Sequence, residues 1–224
     1  MSISVKRLTL YVSGMIVLAF GLTLNTKVTL GVSPLLALPY AISEIYSLNF
    51  SNLVFILYCL FIVAQLIIHR FVLHTDEKSI YVTDVLQIAV SLLFTRFMNL
   101  VSSIIPVFAN ECSGFFAGIW FRLLMLMVAM ILTGTGASLI LNMKLVPNPG
   151  DGVVDAIAQA IKNPLGTAKN IVDITCVFLT AVFSFVSSGK IVGIGIGTLL
   201  AMLGVGRVIN FINTHFDLAK YAGK

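Results

Sequence analysis

Apolar runs of membrane length alternate with short polar breaks along the chain. Candidate spans cover about residues 9–25, 52–68, 82–104, 116–141, 170–187 and 191–213. Each approaches the ~20 apolar residues that a helix needs to cross a bilayer. None alternates apolar and polar positions over ~10 residues, as a membrane barrel strand would. The pattern predicts an all-α membrane protein with six transmembrane helices.

The breaks come in pairs. One span ends in Asn25-Thr26-Lys27 and a later one in Asn142-Met143-Lys144. Each leads into a proline-marked turn, Ser33-Pro34 or Asn148-Pro149-Gly150-Asp151-Gly152. Each turn opens a helical stretch of roughly a dozen residues, near 35–47 and 150–162, too short to cross at about 1.5 Å rise per residue. Asn-led spans follow at Asn52 and Asn170, and the halves close on Arg96-Phe97-Met98-Asn99 and Arg207-Val208-Ile209-Asn210. The expectation is one membrane domain over residues 1–224, with repeat halves of about 9–103 and 118–212. Three full spans per half give the repeats opposite orientations, and interrupted segments at matching places point to a transport pathway.

Composition agrees with a membrane setting: 58% of the 224 residues are hydrophobic and 10% are charged, against about 25% charged in soluble domains. The net charge of +5 is scattered along the chain, which argues against nucleic acid and for membrane orientation. Six spans with both termini cytoplasmic place Lys6, Arg7, Arg70, Lys78, Lys144, Lys162, Lys169, Lys220 and Lys224 inside, and only Lys27 and Lys190 outside. Eight full crossings would weaken that bias, so the short stretches are expected to be re-entrant. The competing expectation is a pair of interfacial helices, which Asp155, Gln159 and Lys162 on one face of the second would suit. No cleavage site follows the first span, which is therefore kept as a span rather than a signal peptide. The three cysteines form no CxxC or Cys/His spacing, so neither a metal nor a disulfide framework is expected.

Candidate chemistry sits at the turns and at charged positions in the spans. Helix N-termini beginning near Pro34 and Pro149 would offer unpaired N–H groups to an anionic group. The expected substrate-binding residues are Ser33, Pro34, Arg96, Asn148, Gly150, Asp151, Gly152 and Arg207, with Asp173 the candidate for ion coupling. Arg96 and Arg207 would grip a carboxylate or phosphate bidentately; the structural alternative is internal pairing for Arg96 and snorkelling for Arg207 and Arg122. Lys169 and Asp173, four residues apart, read as a helix ion pair. The histidines His69, His74 and His215 do not cluster and read as solvated.

Pro149-Gly150-Asp151-Gly152, Lys169 with Asp173, the run Gly193-Ile194-Gly195-Ile196-Gly197-Thr198 and Gly206 together resemble the bacterial YczE/YitT group of integral membrane proteins. The chain departs from that pattern at Leu36, where an acidic residue is expected, at Arg207, where a proline is, and at Lys169, which replaces an arginine. The resemblance implies a multi-pass protein of the bacterial inner membrane and names no substrate. The functional expectation is a secondary transporter or channel-like carrier of a small anionic or zwitterionic solute, bound at the midplane between two half-helices. The alternatives are the substrate-binding membrane subunit of an ATPase-driven importer, or a non-transporting membrane partner of another protein. Neither an enzyme nor a cofactor is expected: HExxH, GxSxG and paired His/Asp motifs are all missing. The expected partners are the bilayer, a small solute and, in an oligomer, further copies of the chain.

Overall fold

The computed structural model describes residues 5–216, 218 and 220. Lys224, assigned above to the cytoplasm, lies outside the described residues, as do the other terminal positions of the 1–224 range. The described elements are helical: α1 (Val5–Val28), a 3-10 turn (Pro34–Leu36) running into α2 (Ala37–Tyr46), and α3 (Phe50–Ile67) with a π turn (Ile68–Val72). Then follow α4 (Lys78–Ile104), the short α5 (Phe108–Glu111), a 3-10 turn (Gly114–Ala117), α6 (Ile119–Met143), α7 (Pro149–Ile161), α8 (Leu165–Ser188) and α9 (Ile196–His215). Six of these, α1, α3, α4, α6, α8 and α9 with their adjoining turns, are long and apolar enough to cross a bilayer. The chain is a multi-pass membrane protein on that ground. At 10 and 13 residues, α2 and α7 reach about 15 and 20 Å, short of a ~30 Å hydrocarbon core.

Local chemistry sets the boundaries. Pro149 begins α7, where a missing N–H costs nothing, and the Asn148 side chain caps it by accepting from the Gly150 N–H at 3.0 Å. Asn49 caps α3 in the same way through Asn52 N–H at 3.0 Å. Left-handed residues stop the helices: Thr29, Ser47 and His74 in the first half, Lys144, Lys162 and Gly189 in the second. Each of the second trio stands 115 positions after its counterpart in the first. The stretch from Pro34 to Tyr46 and α7 are offset by the same 115, as are the starts of α3 and α8. The side chains at those ends are not what repeats: Lys27 lies inside α1, whereas Lys144 caps α6.

By contacts the chain forms two compact units: residues up to Ser33 with Arg96–Leu145 and those from Gly193 on, and Pro34–Thr95 with Val146–Val192. In the first, α1 and α6 run antiparallel with glycine at their closest approaches. A Cβ on Gly21 would come within 2.5 Å of the Thr133 backbone nitrogen, and one on Gly136 would strike Leu18 N and Gly14 O. Each helix also has its C-terminal carbonyls capped by an arginine from the start of the other. Arg7 donates to Met143 O at 2.7 Å and Lys144 O at 2.8 Å; Arg122 donates to Val28 O at 2.8 Å and Thr29 O at 3.0 Å. Arg122 is therefore tied to α1 rather than snorkelling to a surface. The extended residues on either side of α9's start pair with the chain after α1, Val32 N to Gly193 O at 2.9 Å and Gly197 N to Leu30 O at 2.7 Å.

In the second unit, α7 lies against α3 and α8, and α2 with its 3-10 turn lies against α8. Val153, Val154, Ala158, Ala168 and Val172 form its buried cluster, with Leu35 and Phe61 packed on it.

Candidate functional site

The long hairpin of α3 and α4 carries polar residues at helical spacing on its inner faces: Gln65 and His69 on one arm, Asp84, Gln87 and Ser91 on the other. All five are buried, Gln65 at 1% and Gln87 at 0% exposure. Such groups survive in an apolar surrounding only if their hydrogen bonds are made. Gln65 and Gln87 exchange amide bonds, Nε2 to Oε1 at 3.1 and 3.0 Å. Gln65 Nε2 also lies 3.3 Å from Pro149 O on the first turn of α7. His69 Nδ1 and Asp84 Oδ2 are 2.7 Å apart, and Gln87 Nε2 reaches Asp84 Oδ1 at 3.5 Å. The histidine expected in solvent is thus 8% exposed and held by a buried carboxylate.

A cavity of about 280 Å³ opens beside this network, lined by the α3–α4 hairpin and by Pro147, Gly152, Asp155 and Gln159 of the α7 segment. Gly152 makes the close approach feasible: a Cβ there would meet Oε1 of Gln65, and Nε2 of Gln87 at 3.1 Å.

The structure distributes the expected site residues unevenly. Gly152 lines the cavity, while Asn148 and Gly150 build the turn behind it. Pro34 opens the other turn, and the two turns meet: a Cβ on Gly150 would fall 2.5 Å from Leu35 Cδ2. Ser33 belongs to the other unit, where its N–H donates to Asn25 Oδ1 at 3.1 Å. Asp151 is half-buried and caps nothing, the cap being Asn148. Burial pushes its carboxyl above the usual carboxylate range, against the pull of Lys169 and with a further push from Asp173. Asp173 is 2% exposed and paired with Lys169 at 3.2 Å, as the spacing predicts. Arg96 and Arg207 do not line this cavity: both belong to the first unit and both are exposed. Arg207 instead borders an apolar groove between α6 and α9.

Sequence motifs do not single out Gln65 and Gln87, and they place His69 in solvent. A signal was present, because 65 and 69, and 84, 87 and 91, put uncharged or paired polar groups on single helix faces within apolar spans.

Residues 5–214 match the model of DUF6198, a family of unknown function, and the chain belongs to that family. No curated protein and no solved structure matches it.

Proposed function

We propose that this member of DUF6198 is a secondary transporter or channel-like carrier of a small solute, with the polar cavity of the second unit as part of its path. The observation that carries this reading is the cavity itself. A hydrophobic span tolerates Gln65, Asp84 and Gln87 at a cost of up to a few kcal/mol each, and a structural helix pair has no need to border them with space for a solute. Two further observations support it. The constant offset of 115 positions, together with the reciprocal Arg7 and Arg122 caps, fits two repeats of inverted topology. The meeting of Leu35 with Gly150 fits two re-entrant half-helices, α2 and α7, whose non-helical turns are sheltered by protein. On this reading the protein sits in a cell membrane with both termini cytoplasmic, and Asp84 joins Asp173 as a candidate for ion coupling.

Purified protein in liposomes, offered a panel of radiolabelled small solutes, tests the proposal. We expect accumulation of at least one solute above empty liposomes, and its loss when Gln65→Leu and Gln87→Leu are combined in a variant that still elutes as a single species. Uptake that requires a co-purifying ATPase would favour the importer-subunit alternative. Equal uptake by wild type and the double variant would remove the cavity from the path.

A further inference from the structure

The cavity is chemically one-sided. Asp84 and Asp155 are the carboxylic side chains of its lining, His69 lies against Asp84 at 2.7 Å, and neither lysine nor arginine lines it. Its amide donors are already turned on the protein. Gln65 Nε2 is engaged by Gln87 Oε1 and Pro149 O, and Gln87 Nε2 by Gln65 Oε1 and Asp84 Oδ1. Gln159 Nε2 donates to Asp155 Oδ2 at 2.9 Å. On the first turn of α7, Gly150 N donates to Asn148 Oδ1 and Gly152 N to Asn148 O. Acceptor capacity is left over on the two carboxylates. Asp84 Oδ1 has only the long 3.5 Å contact, and the exposed Asp155 accepts from Gln159 through Oδ2 alone among the described residues. A carboxylate has about four lone-pair sites and can satisfy them only with donors.

A ligand that completes this set brings donors and positive charge. We propose that the cavity binds the ammonium group of a small amine or amino zwitterion, held between the Asp84 and Asp155 carboxylates. Its volume, about 280 Å³, lies at the lower end of small-molecule sites, which limits the ligand to a few heavy atoms beyond the ammonium. Arg96 and Arg207 line no part of this cavity, so of the anionic or zwitterionic solute expected from the sequence the proposal keeps the zwitterion and adds the simple amine. The proposal rests on the carrier reading only for how the ligand reaches the cavity, since binding is measurable without transport.

The test is thermal stabilisation and calorimetric titration of the purified full chain with ethanolamine, putrescine and glycine, against acetate, succinate and inorganic phosphate at matched ionic strength. We expect saturable stabilisation by at least one of the amines and by none of the anions. Asp155→Asn, at an exposed position where folding is not at stake, should weaken that amine about tenfold. Asp84→Asn should weaken it further, provided the variant still unfolds cooperatively. Lys190→Gln, at an exposed position away from the cavity lining, should leave the affinity unchanged. Stabilisation by an anion, indifference to all three amines, or an Asp155→Asn variant that binds like wild type would overturn the proposal. Amine binding without counterflow of that amine in liposomes would sink the carrier reading and leave the ammonium site standing.

Discussion

Asp151 shows how one residue can work against its own fold. Its carboxyl is held above its ordinary range by burial, so the folded state binds a proton more readily than the unfolded one. A raised acid contributes stability that is complete below its unfolded value and is lost as the pH rises through the folded one. Asp151→Asn removes the charge and keeps the shape. We expect a higher midpoint for thermal unfolding at neutral pH, with the difference narrowing as the pH falls. A variant that is less stable than wild type at neutral pH would mean that the charge is used structurally, through Lys169. Gly152 gives the opposite case. Gly152→Ala drives a methyl group into the Gln65–Gln87 pair, and overpacking of this kind costs about 1–3 kcal/mol. The check is a lower unfolding midpoint together with weaker amine binding. An unchanged midpoint would show that the pair can move aside.

At the scale of elements, the antiparallel α1–α6 pair is stabilised twice by the same device. Arg7 and Arg122 each give charge-assisted bonds to the unpaired carbonyls at the end of the other helix. Hydrogen bonds to charged groups contribute about 1.5–3 kcal/mol, and the orphan carbonyls left behind would be costly in an apolar surrounding. Arg7→Met and Arg122→Met should therefore each destabilise the protein on the order of 2–3 kcal/mol, and by similar amounts. Denaturation in matched detergent measures both. A large loss for one and none for the other would show that the caps are not energetically equivalent, and would weaken the case for repeated halves. The short helices α2 and α7 differ more from each other. Only the α7 segment borders the polar cavity, while the chain before α2 follows the Leu30–Val32 backbone pairing with Gly193–Gly197.

For the whole molecule, the proposed inverted arrangement makes a directional prediction. With two non-crossing helices, residues 69–80 and 104–114 fall on opposite sides of the membrane. Single cysteines at His74 and Asn110, in a background with Cys59, Cys112 and Cys176 replaced, should react with an impermeant maleimide from opposite faces of oriented vesicles. Labelling from one face would require a different number of crossings and would remove the basis for inverted repeats.

The chain's one-dimensional pattern determined a great deal. Hydropathy over ~20 residues is a property of neighbours in sequence, so the six spans were legible to within a few residues. The turns at Pro34 and Pro149 and the Lys169–Asp173 pair were legible too, because capping, proline geometry and the i, i+4 spacing are local. The candidate site was not. His69 and Asp84 stand 15 residues apart across a loop, and nothing in either segment fixes the register in which the hairpin closes. The arginines stand outside this cavity for the converse reason. Arg96 and Arg207 have the right chemistry, but which face of a helix turns inward is decided by packing, and tertiary structure turned both outward. A buried polar group must find its partner or not be buried, so it was the packing of α7 on the α3–α4 hairpin, through Gly152, that turned scattered polar residues into a cavity.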